Sequence, residues 1–220
     1  MWVNTGVIGL DTEFVRETTY FPRPALIQVA GNQGVSLIDP LAVSDLDPLK
    51  AVLMEPAVVK VMHACDEDLE VLELVTGGTV ENVFDTQLAA AFAGYGFSLG
   101  YQNLVEQLLG IVLDKNETRS NWLRRPLSSA QLRYAALDAT YLLPIHDRLF
   151  REIEATGRSA WPNEELEHRR RSRSDENLLE AVYLRVRGRG KLTSEQRSVL
   201  RALCQWRETE AMVRDTPRRH

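Results

Sequence analysis

Cysteine is nearly absent from this 220-residue chain. Cys65 and Cys204 lie far apart, without the short spacings of a zinc site, so neither a disulfide framework nor a zinc centre is indicated. No apolar run is long enough to cross a bilayer. The opening Met1-Trp2-Val3-Asn4-Thr5-Gly6 also lacks the basic segment and apolar stretch of a signal peptide. Cytoplasmic residence is therefore the expectation. A net positive charge is missing too: the balance is −5, which taken whole argues against a nucleic-acid partner. Divided, it reads differently. Residues 1–150 carry 10 Lys and Arg against 19 Asp and Glu, while residues 151–220 carry 16 against 12. The basic excess of the tail includes Arg169-Arg170-Arg171-Ser172-Arg173 and Arg185–Lys191. Such a run is either a solvated face or a contact to phosphates.

What is present is ordinary apolar content, 44%, enough for one substantial domain plus an appendage. The apolar run Val7-Ile8-Gly9-Leu10, expected as a strand over 7–11, closes on Asp11 and Glu13. In a strand, residues two apart share a face, so two carboxylates meet at the expected strand end. They either cap a solvated turn or hold a cation that removes their mutual repulsion. A second buried strand, expected over 58–63, ends at His63 and runs into Cys65-Asp66-Glu67-Asp68-Leu69. Helical spacing of residues 69, 71, 72, 74 and 75 predicts a helix from about Asp66, with acids in its first turn against the helix dipole. Local physics does not separate Asp68 from its acidic neighbours. The third acidic site lies in a helix announced by a capping box, Ser128 with Gln131. Leu132, Ala135, Ala136, Ala139, Leu142 and Leu143 form its apolar stripe, and Tyr134 and Asp138, four apart, share one face.

Further strands are expected over 25–30, 34–38 and 82–84, and helices over 46–54, 86–93 and 99–109. Asp85 is read as the N-cap of the 86–93 helix, not as a metal ligand. This is an α/β domain with a mixed sheet. The loop 113–126 mixes Lys115, Arg119, Arg124 and Arg125 with Trp122, a composition suited to phosphates and stacked bases. Trp122 is equally a packing anchor. The segment Thr193–Arg207 is amphipathic.

The order Asp11-Thr12-Glu13, His63 with Asp68, and Tyr134-x-x-x-Asp138 resembles the three motifs of the DEDDy 3′→5′ exonucleases. Asp11–Arg16, Leu26-Ile27-Gln28, Glu67–Glu70, Phe84–Gln87, Trp122–Leu127 and Tyr141–Pro144 narrow the resemblance to the bacterial ribonuclease D family. It implies a ribonuclease-H-like exonuclease fold with a mixed central sheet flanked by helices. Domain bounds of 1–155 for the exonuclease, 156–190 for a charged linker and helix, and 191–220 for the start of a C-terminal helical (HRDC) domain follow from it.

The resemblance further implies two divalent cations, Mg²⁺ or Mn²⁺, held by Asp11, Glu13, Asp68 and Asp138. Tyr134 would orient the attacking water. Phe14, His63, Lys115, Trp122 and Arg124 are the candidate nucleic-acid contacts, although His63 is equally a residue that closes its strand. The implied activity is release of nucleoside monophosphates from single-stranded RNA 3′ ends, tRNA precursors included, by a monomer without membrane association. Its rivals are a DNA exonuclease of the same chemistry and a non-catalytic RNA-binding module. The helical segment, unfinished at His220 by comparison with that family, leads to the expectation of a fragment of a longer protein.

Overall fold

Val7–Val15, buried at Ile8, Gly9, Leu10 and Thr12, is the central strand, β1, of a five-stranded sheet. The computed structural model describes residues 6–113, 117, 120–172 and 182–217. On one side β1 pairs antiparallel with β2 (Arg23–Gly31), which pairs antiparallel with β3 (Gly34–Ile38). On the other it runs parallel to β4 (Val59–Met62), itself parallel to β5 (Val83–Asp85). The order is β3-β2-β1-β4-β5, the mixed sheet that the pattern of elements predicts. The helices are α1 (Asp47–Met54), α2 (Asp66–Thr76), α3 (Thr86–Ala93), α4 (Tyr101–Leu109), α5 (Ser129–Thr140), α6 (Leu142–Ala155), α7 (Trp161–Ser172) and α8 (Ser194–Val213). None is long and apolar enough to cross a membrane.

One expectation fails at β1, which does not stop at Asp11. β2 keeps pairing with it as far as Val15 opposite Arg23, so both acids lie within the strand. The register slips between Glu13, opposite Leu26, and Phe14, opposite Pro24, and the bulge falls at Ala25. The Ala25 carbonyl accepts from Arg125 Nη2 at 2.6 Å. The same guanidinium forks the Asp39 carboxylate at 2.6 and 2.8 Å and donates to the Trp122 carbonyl at 2.7 Å. Arg125 therefore ties the 120s loop to the sheet, and its hydrogen bond holds the Asp39 carboxyl below the usual range. Trp122, 3% exposed, packs with Ala25, Leu26 and Ala135.

Close approach shapes the other end of β1. A Cβ on Gly9 would lie 3.0 Å from the Leu142 Cβ and 3.1 Å from the Ala30 Cβ, so the start of α6 rests directly on the strand. Two apolar assignments also fail. Leu132 and Leu74 face solvent, and the buried residues of α5 are Gln131, Ala135 and Ala139.

The turn from β4 into α2 has no Gly, and Ala64 takes a positive φ of 54° there. Asp85 holds it. Its carboxylate accepts from the Ala64 and Cys65 N–H groups at 3.2 and 3.0 Å. It also caps α3 through the Gln87 and Leu88 N–H groups at 2.7 and 3.2 Å.

The chain forms two compact units, one of Met1–Val15 with Arg23–Glu165, the other of Arg16–Pro22 with Leu166–His220. The division falls after Glu165, within the span of α7. In the second unit the Tyr20 hydroxyl donates to Glu208 Oε1 at 2.7 Å, and Glu208 is fully buried. Asp215 accepts from the Tyr20 and Phe21 N–H groups at 2.9 and 3.0 Å. A Thr193–Gln196 capping box opens α8.

Because Asp85 satisfies four backbone N–H groups, Asp85→Ala is expected to lower unfolding free energy by about 3 kcal/mol. Urea denaturation checks this; an unchanged midpoint would make the carboxylate dispensable.

Candidate metal centre

Asp11 and Glu13 point from one face of β1, and α5 brings Asp138 to them. Each offers an oxygen, and the three atoms lie within 4.8 Å of one another, the one such group among the described residues. The phase of α5 is set at its start. Ser128 Oγ accepts from the Gln131 N–H at 3.1 Å, and Gln131 Oε1 accepts from the Ser128 N–H at 2.9 Å. Buried Gln131 also donates to the Asn121 carbonyl at 3.3 Å. With that phase, the small residues Ala135 and Ala139 face the sheet, and Tyr134 and Asp138 come out together on the flank.

Asp68 stands apart from this trio. It sits in the first turn of α2, and its Oδ1 accepts from the Thr12 hydroxyl at 2.5 Å. The Thr12 N–H also donates to Asp68, which therefore lies along β1, near enough for its charge to act on Asp11 and Glu13.

Four carboxyls in so dry a place resist ionisation. Burial pushes Asp11 well above its ordinary value, and the charges of Asp68, Asp138 and Glu13 push it further. Burial, with the charges of Asp138 and Asp68, raises Glu13 to about 8. Asp68 rises to about 6 through burial, opposed by the Thr12 hydroxyl. Asp138 also rises to about 6 through burial, opposed by a hydrogen bond from Tyr134. Hard oxygen donors that repel one another at this separation suit a hard divalent cation, which supplies the missing positive charge. The residues present therefore fit a metal ion.

A cavity of about 350 Å³ opens beside the acids, lined by Asp11, Asp138, Tyr134, His63, Leu142 and the first turn of α4. Tyr101 fixes this wall. Its hydroxyl donates to the Leu137 carbonyl and accepts from the Tyr141 N–H, both at 3.2 Å, bridging the break between α5 and α6. Burial holds its pKa above the ordinary value, against the Tyr141 N–H. Both ring nitrogens of His63 are engaged, Nδ1 with the Thr86 hydroxyl at 2.9 Å and Nε2 with the Leu99 carbonyl at 3.0 Å. Burial lowers its pKa, against Asp85 and the Leu99 carbonyl.

The remaining candidates do not gather here as a set. Trp122 is inside the fold, 6.0 Å between ring centroids from Tyr134, which is the packing alternative; its ring is not open to a base. Arg124 is exposed, Phe14 is half-buried at the β-bulge, and Lys115 lies outside the described residues. Thr12, Gln28 and Tyr101 escaped the sequence reading as site residues. The one local signal was polarity within apolar runs, as in Ala25-Leu26-Ile27-Gln28-Val29-Ala30.

Residues 2–154 match the family described as 3′-5′ exonuclease. The chain belongs to the 3′-5′ exonuclease family. Within it, the chain is 42% identical over 219 residues to a ribonuclease D of Pseudomonas paraeruginosa, covering 100% of this chain and 58% of that protein. It is 41% identical over 208 residues to the ribonuclease D of Escherichia coli K12, covering 94% of this chain and 56% of that one. The solved structure of Escherichia coli RNase D, an exoribonuclease involved in structured RNA processing, superposes with a TM-score of 0.88 at 39% identity. That match covers 98% of this chain and 58% of that one, so this chain spans little more than half the length of these relatives. The fold is thus the ribonuclease-H-like exonuclease fold that the motifs implied.

Raised carboxyl pKa values mean that the folded, metal-free chain binds more protons than the unfolded one between pH 4 and 8. Stability should therefore fall as pH rises. Depressed His63 acts oppositely below about pH 6.5. Between about pH 6.5 and 8 the Tm of the metal-free chain is expected to drop by about 5 °C. Mn²⁺ should restore it most strongly at pH 8, and Glu13→Gln should flatten the slope. A Tm scan with and without Mn²⁺ checks all three outcomes.

Proposed function

We propose that this chain is the catalytic part of a metal-dependent 3′→5′ exoribonuclease that releases nucleoside monophosphates from single-stranded RNA 3′ ends, with tRNA precursors among its substrates. The observation that carries the reading is the convergence of Asp11, Glu13 and Asp138 within 4.8 Å at the wall of a cavity that Tyr134 also lines. Its volume, about 350 Å³, suits one terminal nucleotide better than a continuous strand. Ribonuclease D relatives at 41–42% identity support RNA as the substrate. Cytoplasmic residence and a monomeric state complete the proposal. So does the assignment of the segment after residue 190 to the start of an HRDC-type helical domain.

Asp11, Glu13, Asp68 and Asp138 would hold two divalent cations, Mg²⁺ or Mn²⁺. Asp11, at the centre of the set, would be held in common, and Asp68, which accepts from the Thr12 hydroxyl, would contribute less directly. When bound, such ions supply Lewis-acid stabilisation of the attacking and leaving oxygens of an in-line displacement. The chain's own residues do the rest. Tyr134, hydrogen-bonded to Asp138, positions the attacking water; a free Tyr titrates near 10, so orientation rather than proton removal is its role. The α4 wall braced by Tyr101 confines the terminal nucleotide, and the ring of His63 closes the cavity beside it. Arg124 and Phe14 are proposed as contacts to the upstream RNA.

A 5′-labelled single-stranded RNA and its DNA twin, incubated with Mg²⁺, Mn²⁺ or EDTA, test this. RNA should shorten from its 3′ end only with metal. Asp11→Asn is expected to abolish the ladder while the fold persists, and an active Asp11→Asn chain would sink the metal mechanism. Tyr134→Phe should slow turnover by about 100-fold, the scale of lost water positioning, while still binding Mn²⁺. Equal digestion of DNA would move the substrate from RNA to nucleic acids generally.

A further inference from the structure

Gln28 is the one residue on the inner face of β2 whose chemistry does not match its surroundings. It is fully buried, and neither its Nε2 nor its Oε1 has a hydrogen-bond partner. Two residues away on either side, Leu26 and Ala30 are buried against α5. Across the sheet it pairs with Leu37 of β3, which packs in the same apolar cluster as Leu26 and Ala135. An amide in that place costs free energy that Leu or Met would not, because its N–H and C=O groups have lost water and gained nothing. Packing alone gives no reason for it.

The reason lies across the other strand pair. Gln28 is the direct partner of Asp11 in the antiparallel β1–β2 ladder, and directly opposed residues share a face with their Cβ atoms about 5 Å apart. The neighbouring pair confirms which face this is. Gly9 opposes Ala30, and a Cβ on Gly9 would touch both the Ala30 and Leu142 Cβ atoms beneath the helices. Gln28 thus lies beside the carboxylate that the proposed function makes the shared ligand.

We propose that Gln28 is a positioning residue of the metal centre: its amide N–H group donates to the Asp11 carboxylate and fixes which oxygen is turned to the metal. This rests on the metal-dependent reading above. A hydrogen bond to a ligating carboxylate orients it and limits the geometries it can take. A neutral amide does so without adding a fifth negative charge to the four acids. The cost of burying the amide is offset when it pairs with the loaded centre, so Gln28 couples occupancy of the site to the stability of the sheet.

Gln28→Met keeps the length and approximate volume of the side chain and removes both polar groups. The full chain, freed of metal with EDTA and dialysed, is titrated with Mn²⁺ by calorimetry, and its metal-free Tm is recorded. The variant is expected to match or exceed the wild-type Tm without metal while binding Mn²⁺ at least about 10-fold more weakly. Its kcat on single-stranded RNA should fall with KM unchanged. A residue that merely fills space would move stability and metal affinity in the same direction. Wild-type Mn²⁺ affinity in Gln28→Met, alongside a wild-type chain that binds Mn²⁺ and digests RNA, overturns the role of Gln28 and leaves the nuclease standing. A lower metal-free Tm in the variant also overturns it, since the amide would then be structural. A wild-type chain that takes up no Mn²⁺ overturns the metal-dependent reading and this inference together.

Discussion

Repulsion among buried carboxylates is the constraint around which this domain is arranged. Asp11 and Glu13 must lie in a sheet strand for their side chains to share a face, and Asp138 must come from a helix packed on that face. Such an assembly opposes folding, and surrounding structure has to hold it. Gly9 admits α6 against β1, Ala135 and Ala139 admit α5, and the Tyr101 hydroxyl ties the break between the two helices. Thr12 takes Asp68, and Asp85 clamps the turn that begins the helix carrying it. Each device is local, and each bears on where one carboxylate stands.

Much of this was legible in the sequence, for identifiable reasons. Strand alternation placed Asp11 with Glu13, the Ser128–Gln131 capping box placed Tyr134 with Asp138, and Asp85 was recognisable as an N-cap from its position before an apolar helix. These are short-range features, set by the geometry of one element. What escaped depends on pairing between elements. The extension of β1 to Val15 follows from the length of β2, and the buried amide of Gln28 becomes conspicuous only when the register sets it opposite Asp11. Leu132 was assigned to the core by helical spacing, but the phase of α5 turns Gln131 inward, where Asn121 receives its amide.

The 120s loop shows how composition misleads where geometry decides. Basic and aromatic residues in one segment suggest contact with nucleic acid, yet two of them serve the fold. Arg125 spends its donors on Asp39 and on carbonyls of the sheet and its own loop, and Trp122 fills the space beside Ala25 and Ala135. Arg124, between them, faces solvent. Adjacent arginines of identical chemistry thus have different duties, distinguished by one carboxylate and one bulged carbonyl within reach.

The seven residues Arg16–Pro22 leave the strand that bears Asp11 and Glu13, enter the second compact unit, and return as β2. The two units are therefore not successive lengths of chain, and no single cut separates them. A piece beginning at Leu166 would carry Glu208, fully buried, without the Tyr20 hydroxyl that it accepts. A piece ending at Glu165 would keep Tyr20 and Phe21 but lose the Asp215 carboxylate that receives their amides. A C-terminal segment exchanged alone would have to meet, in its new host, a loop that offers the same tyrosine.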